Sequence, residues 1–308
     1  MGFWGTGLYA GDFACDLRST VAAVVRLPFD SARLVEILCE TEPAAANNPD
    51  DEEHGTFWIV VADQFAKRGI VSQQVREKAL GIIDAGDDIA TMQKLGLNPS
   101  DLRKRRKMLE EIRARIVSAS SDKPRKVLKE PQPLLMEIGD VLVYPVCGGK
   151  CINPYFASKE LNKVYTRNGP RPWTQDSWAA AVIIDCGRAF DFLSWYRPLT
   201  VAQAMIEKPT VEILRGPVVW RLDTPGTCSP LHFKKMEFEK IGRIPLDLDK
   251  LRNMFPGMRP GVSAAVSDIS IANRLNVAPY SETSVLKPGP HWGRTPVIES
   301  LDQLVRIN

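Results

Sequence analysis

Three carboxylates near the start of the chain have the type and spacing to hold a hard cation. Asp12 and Asp16 lie four residues apart, so a helix sets them on one face, and Asp63 sits among Val60, Val61, Ala62 and Phe65. A carboxylate buried there is costly unless it is paired. Together the three could bind a divalent ion or meet a basic partner. Each also has a local use: Asp12 as a helix cap, Asp16 paired with Arg18 or Arg68, and Asp63 on a solvated face. The sequence leaves both readings open.

Two further charged runs stand out. Asp50-Asp51-Glu52-Glu53 falls in a loop and offers an acidic surface suited to imitating phosphate toward a cationic site. Arg103-Lys104-Arg105-Arg106-Lys107, with Arg113 and Arg115 beyond it, lies in a helical segment. Five consecutive residues sweep about 500° around a helix, so some of these cations must face the domain or an acidic partner. Phosphate contact is one use for Arg103, Arg105 and Arg106. The segment carries no aromatic residue to stack on bases, however, and Glu110 and Glu111 dilute its charge. Between Ser100 and Glu130 eleven Lys/Arg face five Asp/Glu, whereas the whole chain has a net charge of only +3. The remainder is therefore mildly acidic, and the overall balance does not by itself point to nucleic acid or membrane.

Cys147-Gly148-Gly149-Lys150-Cys151 and the pair Cys228 and His232 could supply zinc ligands, although their spacing is looser than the usual Cys-x-x-Cys. The alternative is a glycine hairpin turn between thiols. Trp173 lies in a polar stretch beside Arg171, and with Trp292 these residues have the composition of an exposed interface patch. Trp195 and Trp220 sit in apolar runs and are expected in the core. The histidines His54, His232 and His291 complete no triad or metal motif. Trp4-Gly5-Thr6-Gly7 has no preceding strand and is not a phosphate loop. Nothing here argues for an enzyme or a cofactor.

These residues are positioned by two kinds of chain. Helical periodicity marks Asp12–Arg26, a segment capped by Asp30 or Ser31 and closed by Pro43 and a loop from Ala44 to His54, another from Thr56 to near Gly69, one capped by Ser72, and two more at Asp87–Leu95 and Ser100–Ser118, the last preceded by Asn98-Pro99. These form a helical domain over residues 1–119. Residues 120–134 hold three prolines and read as a linker. From 135 to 308 the texture is β-branched, with strands expected at Val141–Val146, Ala179–Asp185, Ala189–Trp195, Thr210–Leu214 and Val218–Leu222. Cys186-Gly187-Arg188 is expected as a hairpin turn, and helices are expected at Asp247–Met254 and Ile298–Ile307. Lys287–Pro296 reads as a Pro/Gly-rich surface segment. The fold class is α+β, with the short strands of the second part expected to form a small barrel or a strongly bent sheet.

Two resemblances rest on particular residues. Trp4-Gly5-Thr6-Gly7-Leu8-Tyr9 followed by Asp12-Phe13-Ala14-Cys15-Asp16 resembles the start of an uncharacterised bacterial family that opens with Trp-Gly-x-Gly, an aromatic residue and an Asp-rich helix start; Trp58 and Asp63 fit it too. Glu137 to Tyr144, Trp178 to Ile183 and Phe190 to Leu193 resemble an SH3-like barrel of immunity proteins from bacterial polymorphic-toxin systems. There a Gly-Asp opens the first strand, as Gly139-Asp140 would here. The resemblance implies a non-catalytic protein that binds a protein partner, a toxin among them. With no apolar stretch long enough to span a bilayer and no signal-peptide pattern, the expected location is the cytoplasm. The rival expectation is a nucleic-acid-binding or metal-dependent nuclease-like protein built on the Arg103 to Arg115 helix.

Overall fold

The computed structural model describes residues 5–120, 125–147, 150–151, 175–223, 225–254, 275, 277 and 297–305. The chain divides into two compact units, Met1–Glu130 and Pro131–Asn308. The boundary falls inside the expected linker, whose front half belongs to the first unit. The Arg125 guanidinium donates to the carbonyls of Val25 and Leu27, at 2.5 and 2.8 Å, and to that of Phe29. The Leu128 N–H follows, donating to Arg26 at 2.7 Å.

The first unit is all helix: α1 Asp12–Val24, α2 Ser31–Thr41, α3 Pro43–Asn47, α4 His54–Ala66, α5 Gln73–Ala85, α6 Asp87–Lys94 and α7 Pro99–Val117. Asp30 and Ser72 cap their helices as expected, and Asn98 caps α7; each accepts from the backbone N–H three residues on. Helix α3 was expected as loop, because Pro43 reads as a stop; proline is equally at home in the first helical turn, and there it starts one. Helix α4 is the axle of the unit. Every residue from Thr56 to Phe65 is buried, and α1, α3, α5, α6 and α7 pack around it. A helix apolar on all sides has no other stable place.

The second unit is an antiparallel sheet with small helices. Its strands are β1 Asp140–Cys147, β2 Lys150–Cys151, β3 Ser177–Ala189, β4 Leu193–Val201, β5 Trp220–Leu222, β6 Gly226–Thr227, β7 Glu239–Arg243 and β8 Val297–Ile298. The order runs β2-β1-β3-β4-β5-β8, with β6 paired to β4 and β7 to β1. The sheet stays open and is not closed into a barrel, so of the two expected forms, barrel or sheet, the chain takes the sheet. Its helices are α8 Val211–Arg215, α9 Pro230–Lys235 and α10 Leu248–Met254. The expected strand Thr210–Leu214 is instead α8, with the Thr210 hydroxyl accepting from the Ile213 N–H as its cap. The expected final helix is the short β8 and a single 3-10 turn, Leu301–Leu304.

The hairpin turn is also displaced. Cys186-Gly187-Arg188 continues β3, and the chain reverses at Phe190 and Asp191, both with positive φ. Gly187 stands opposite Trp195, and a Cβ there would lie 3.2 Å from the indole. Glycine lets the ring cover the strand. Trp195 and Trp220 are buried as expected. Among the described residues no helix is long and apolar enough to cross a membrane.

Candidate functional site

The charged residues of the helical unit sort into three sets. In the first, α4 buries Asp63 completely. Its carboxylate accepts from the Tyr9 hydroxyl and the Arg115 guanidinium, and from Lys67 Nζ at 2.6 Å. Gln64 donates to the same tyrosine oxygen. Burial, then the hydrogen bond to Asp63, pushes the Tyr9 hydroxyl far above its usual range, so it remains a donor. Asp63 is thus neither solvated nor open to a metal. Among the described residues no group of three or more His, Cys, Asp or Glu is placed to hold one. Asp12, Asp16 and Asp63 therefore do not assemble the metal centre considered from the sequence.

The second set corrects the reading of the basic helix. Arg105 is fully buried and grips Asp88 with two bonds, Nε to Oδ1 at 2.9 Å and Nη2 to Oδ2 at 2.7 Å. Its third arm donates to the Gly7 carbonyl at 2.7 Å. Arg105 is therefore no surface contact; it ties the glycine-containing N-terminal segment to α6 and α7. Arg103, Lys104, Arg106 and Lys107 are exposed. Lys104 pairs with Asp101 at 2.9 Å, and Arg113 pairs with Asp84 at 2.7 Å.

The third set is acidic and surrounds the helix starts. Asp12 lies in the first turn of α1, with Asp16 one turn on; Glu42 is the N-cap residue of α3, and Asp50 to Glu53 lead into α4. Helix starts carry partial positive charge, which explains why carboxylates can gather there. The gathering still has a cost. Burial, then the Asp12 charge, raises the Asp16 carboxyl. Burial, then Asp16 and Asp51, raises Glu42. Burial, then Glu52, raises Glu53. The loop is held by its own side chains: Asp51 accepts from the Glu53 N–H at 2.8 Å and Asn48 from the Asp50 N–H at 3.1 Å. Asp50 and Glu52 point outward. Among the described residues none of these carboxylates forms an ion pair.

In the sheet unit the Gly-Asp motif has a structural explanation. Gly139 has φ +88°, and a Cβ there would lie 2.3 Å from the Ile244 carbonyl oxygen. Asp140 is buried, accepting from Lys240 at 2.6 Å, Arg243 at 3.1 Å and the Glu137 N–H at 2.7 Å. Arg171, Trp173 and Trp292 lie outside the described residues, as do the side chains of Cys147 and Cys151. The backbones of Cys147 and Lys150 pair as a hairpin.

Sequence reading missed Glu42 as a member of the acidic set, and Tyr9, Lys67 and Arg115 as partners of Asp63. Lys67 stands one helical turn from Asp63, whereas Tyr9 and Arg115 reach it only through tertiary packing. A scan of protein-family models finds no match, and searches of curated proteins and of solved structures find no similar chain.

Proposed function

We propose that this chain is a non-catalytic binding protein whose acidic helix-start surface receives a cationic site on a protein partner, as an immunity protein covers a toxin. The supporting observation is the crowding around Asp16, Glu42, Asp51 and Glu53, where burial and mutual repulsion push the carboxyls of Asp16, Glu42 and Glu53 above their ordinary range. A partner bringing Arg or Lys to this surface relieves that repulsion and gains charge-assisted hydrogen bonds. The outward Asp50 and Glu52 lie where they would steer its approach.

The reading is tested by charge reversal. Asp50→Lys with Glu52→Lys alters two exposed side chains of a loop whose turn bonds come from Asp51 and Asn48, so folding is expected to persist. Loss of a basic partner captured by the parent protein, with unchanged melting, supports the proposal. Undiminished capture counts against it.

A further inference from the structure

We propose that the cavity where α1, α4 and α7 end is a binding site for a small, multiply charged phosphate compound. The cavity has a volume of about 700 Å³ and is lined by Arg26, Lys67, Arg68, Arg115, Arg125 and Lys126, with no carboxylate among the described lining residues. That volume suits a small ligand rather than a polymer strand. Small apolar side chains such as Ala66 and Ala119 complete the wall, and among the described lining residues no aromatic is present to stack a base.

Capping explains part of this charge. Three helix C-termini meet here, each with roughly half a negative charge. Arg125 satisfies the carbonyls beyond α1, and Arg68 donates to the Gln64 carbonyl at 3.0 Å and its side-chain oxygen at 2.6 Å. These acceptors are neutral, so they pair neither guanidinium charge, and Arg68 feels the Asp63 carboxylate without being bonded to it. Burial accordingly makes Arg68 and Arg125 easier to deprotonate than usual. Asp63 answers Lys67 and Arg115 together with one carboxylate. That carboxylate and the helix ends offset fewer than half of the six cations. Arg26 and Lys126 are exposed and caps do not require them. A phosphate compound with several oxygens matches guanidinium forks on more than one side of the cavity. The exposed cations of α7 from Arg103 to Lys107 begin more than two turns before Arg115 and are not part of this lining.

The test is calorimetric titration of the full chain with inorganic tripolyphosphate, alongside the Arg26→Ala/Lys126→Ala double variant and its Arg26→Lys/Lys126→Arg counterpart. Saturable binding is expected at low salt, weakening steeply as salt rises from about 50 to about 200 mM. Affinity should fall at least about tenfold in the alanine pair, with the charge-retaining pair close to the parent. Absence of saturable binding, or equal affinity in the alanine pair, overturns the proposal. So does an oligonucleotide that binds more tightly and displaces tripolyphosphate, which would assign the cavity to nucleic acid.

Discussion

Arg105 and Asp88 form a fully buried, two-bonded ion pair, and the remaining arm of the guanidinium holds the Gly7 carbonyl. One side chain thus couples α7, α6 and the segment before α1. A buried pair of this kind contributes little over a well-packed apolar pair, but removing one partner strands a charge.

Arg105→Ala should therefore destabilise the helical unit by about 3–5 kcal/mol, and Asp88→Ala by a similar amount. An apolar double replacement, Arg105→Met with Asp88→Leu, should recover much of that loss. Amide hydrogen exchange over α6 and α7 measures all three. A small effect of Arg105→Ala would show that water enters and solvates the pair.

Gly139→Ala should damage the sheet unit more than a left-handed conformation alone would, which costs roughly 1–2 kcal/mol. The added Cβ meets the Ile244 carbonyl at 2.3 Å, where the Ile244 N–H donates to the Gly139 carbonyl and the Gly139 N–H to that of Ile183. Gly187→Ala is the milder comparison, since the Trp195 ring at 3.2 Å can tilt. Denaturant titration should rank the two in that order; the reverse ranking would contradict the described turn at Gly139.

Acid should act on the two units with opposite signs. Burial pushes Asp140 up, but hydrogen bonds from Lys240, the Glu137 N–H and Arg243 outweigh it and hold the carboxyl below its ordinary 3.8. Its contribution is complete above that value and is lost as pH falls through the lower folded-state value. Asp16, Glu42 and Glu53 are raised instead. Their ionisation opposes folding, and the opposition eases as pH falls through their raised values toward the ordinary ones. Hydrogen exchange resolved by unit should find the helical unit gaining protection on mild acidification and the sheet unit losing it below about pH 4.

Cys186 should resist thiol reagents. Burial, then the neighbouring Asp185 charge, pushes it up to about 11, leaving little thiolate at neutral pH. Its labelling rate should rise only on unfolding; rapid labelling of the native chain would contradict this environment.

Much of the helical unit was legible in the sequence because its signals are local. Asp30 and Ser72 announce helix starts, and the apolar run from Phe57 to Phe65 announces a core helix. The errors arose where one residue type serves two geometries. Pro43 begins a helix instead of ending one, Thr210 caps a helix although it looks like strand, and Gly187 makes room for Trp195 instead of turning the chain. The turn expected at Cys186-Gly187-Arg188 had cut in two what is one long strand, Ser177–Ala189. The acidic loop was visible as a run. Glu42 and the cationic cavity were not, since they assemble from helix ends far apart in sequence.

The acidic surface as a docking site is tested most directly by capture from native lysate, washed in moderate salt, with the parent chain beside Asp50→Lys/Glu52→Lys. The expected result is a stoichiometric basic protein held by the parent and lost from the variant. A partner retained equally by both, or only nucleic acid that washes away as salt rises, would contradict it.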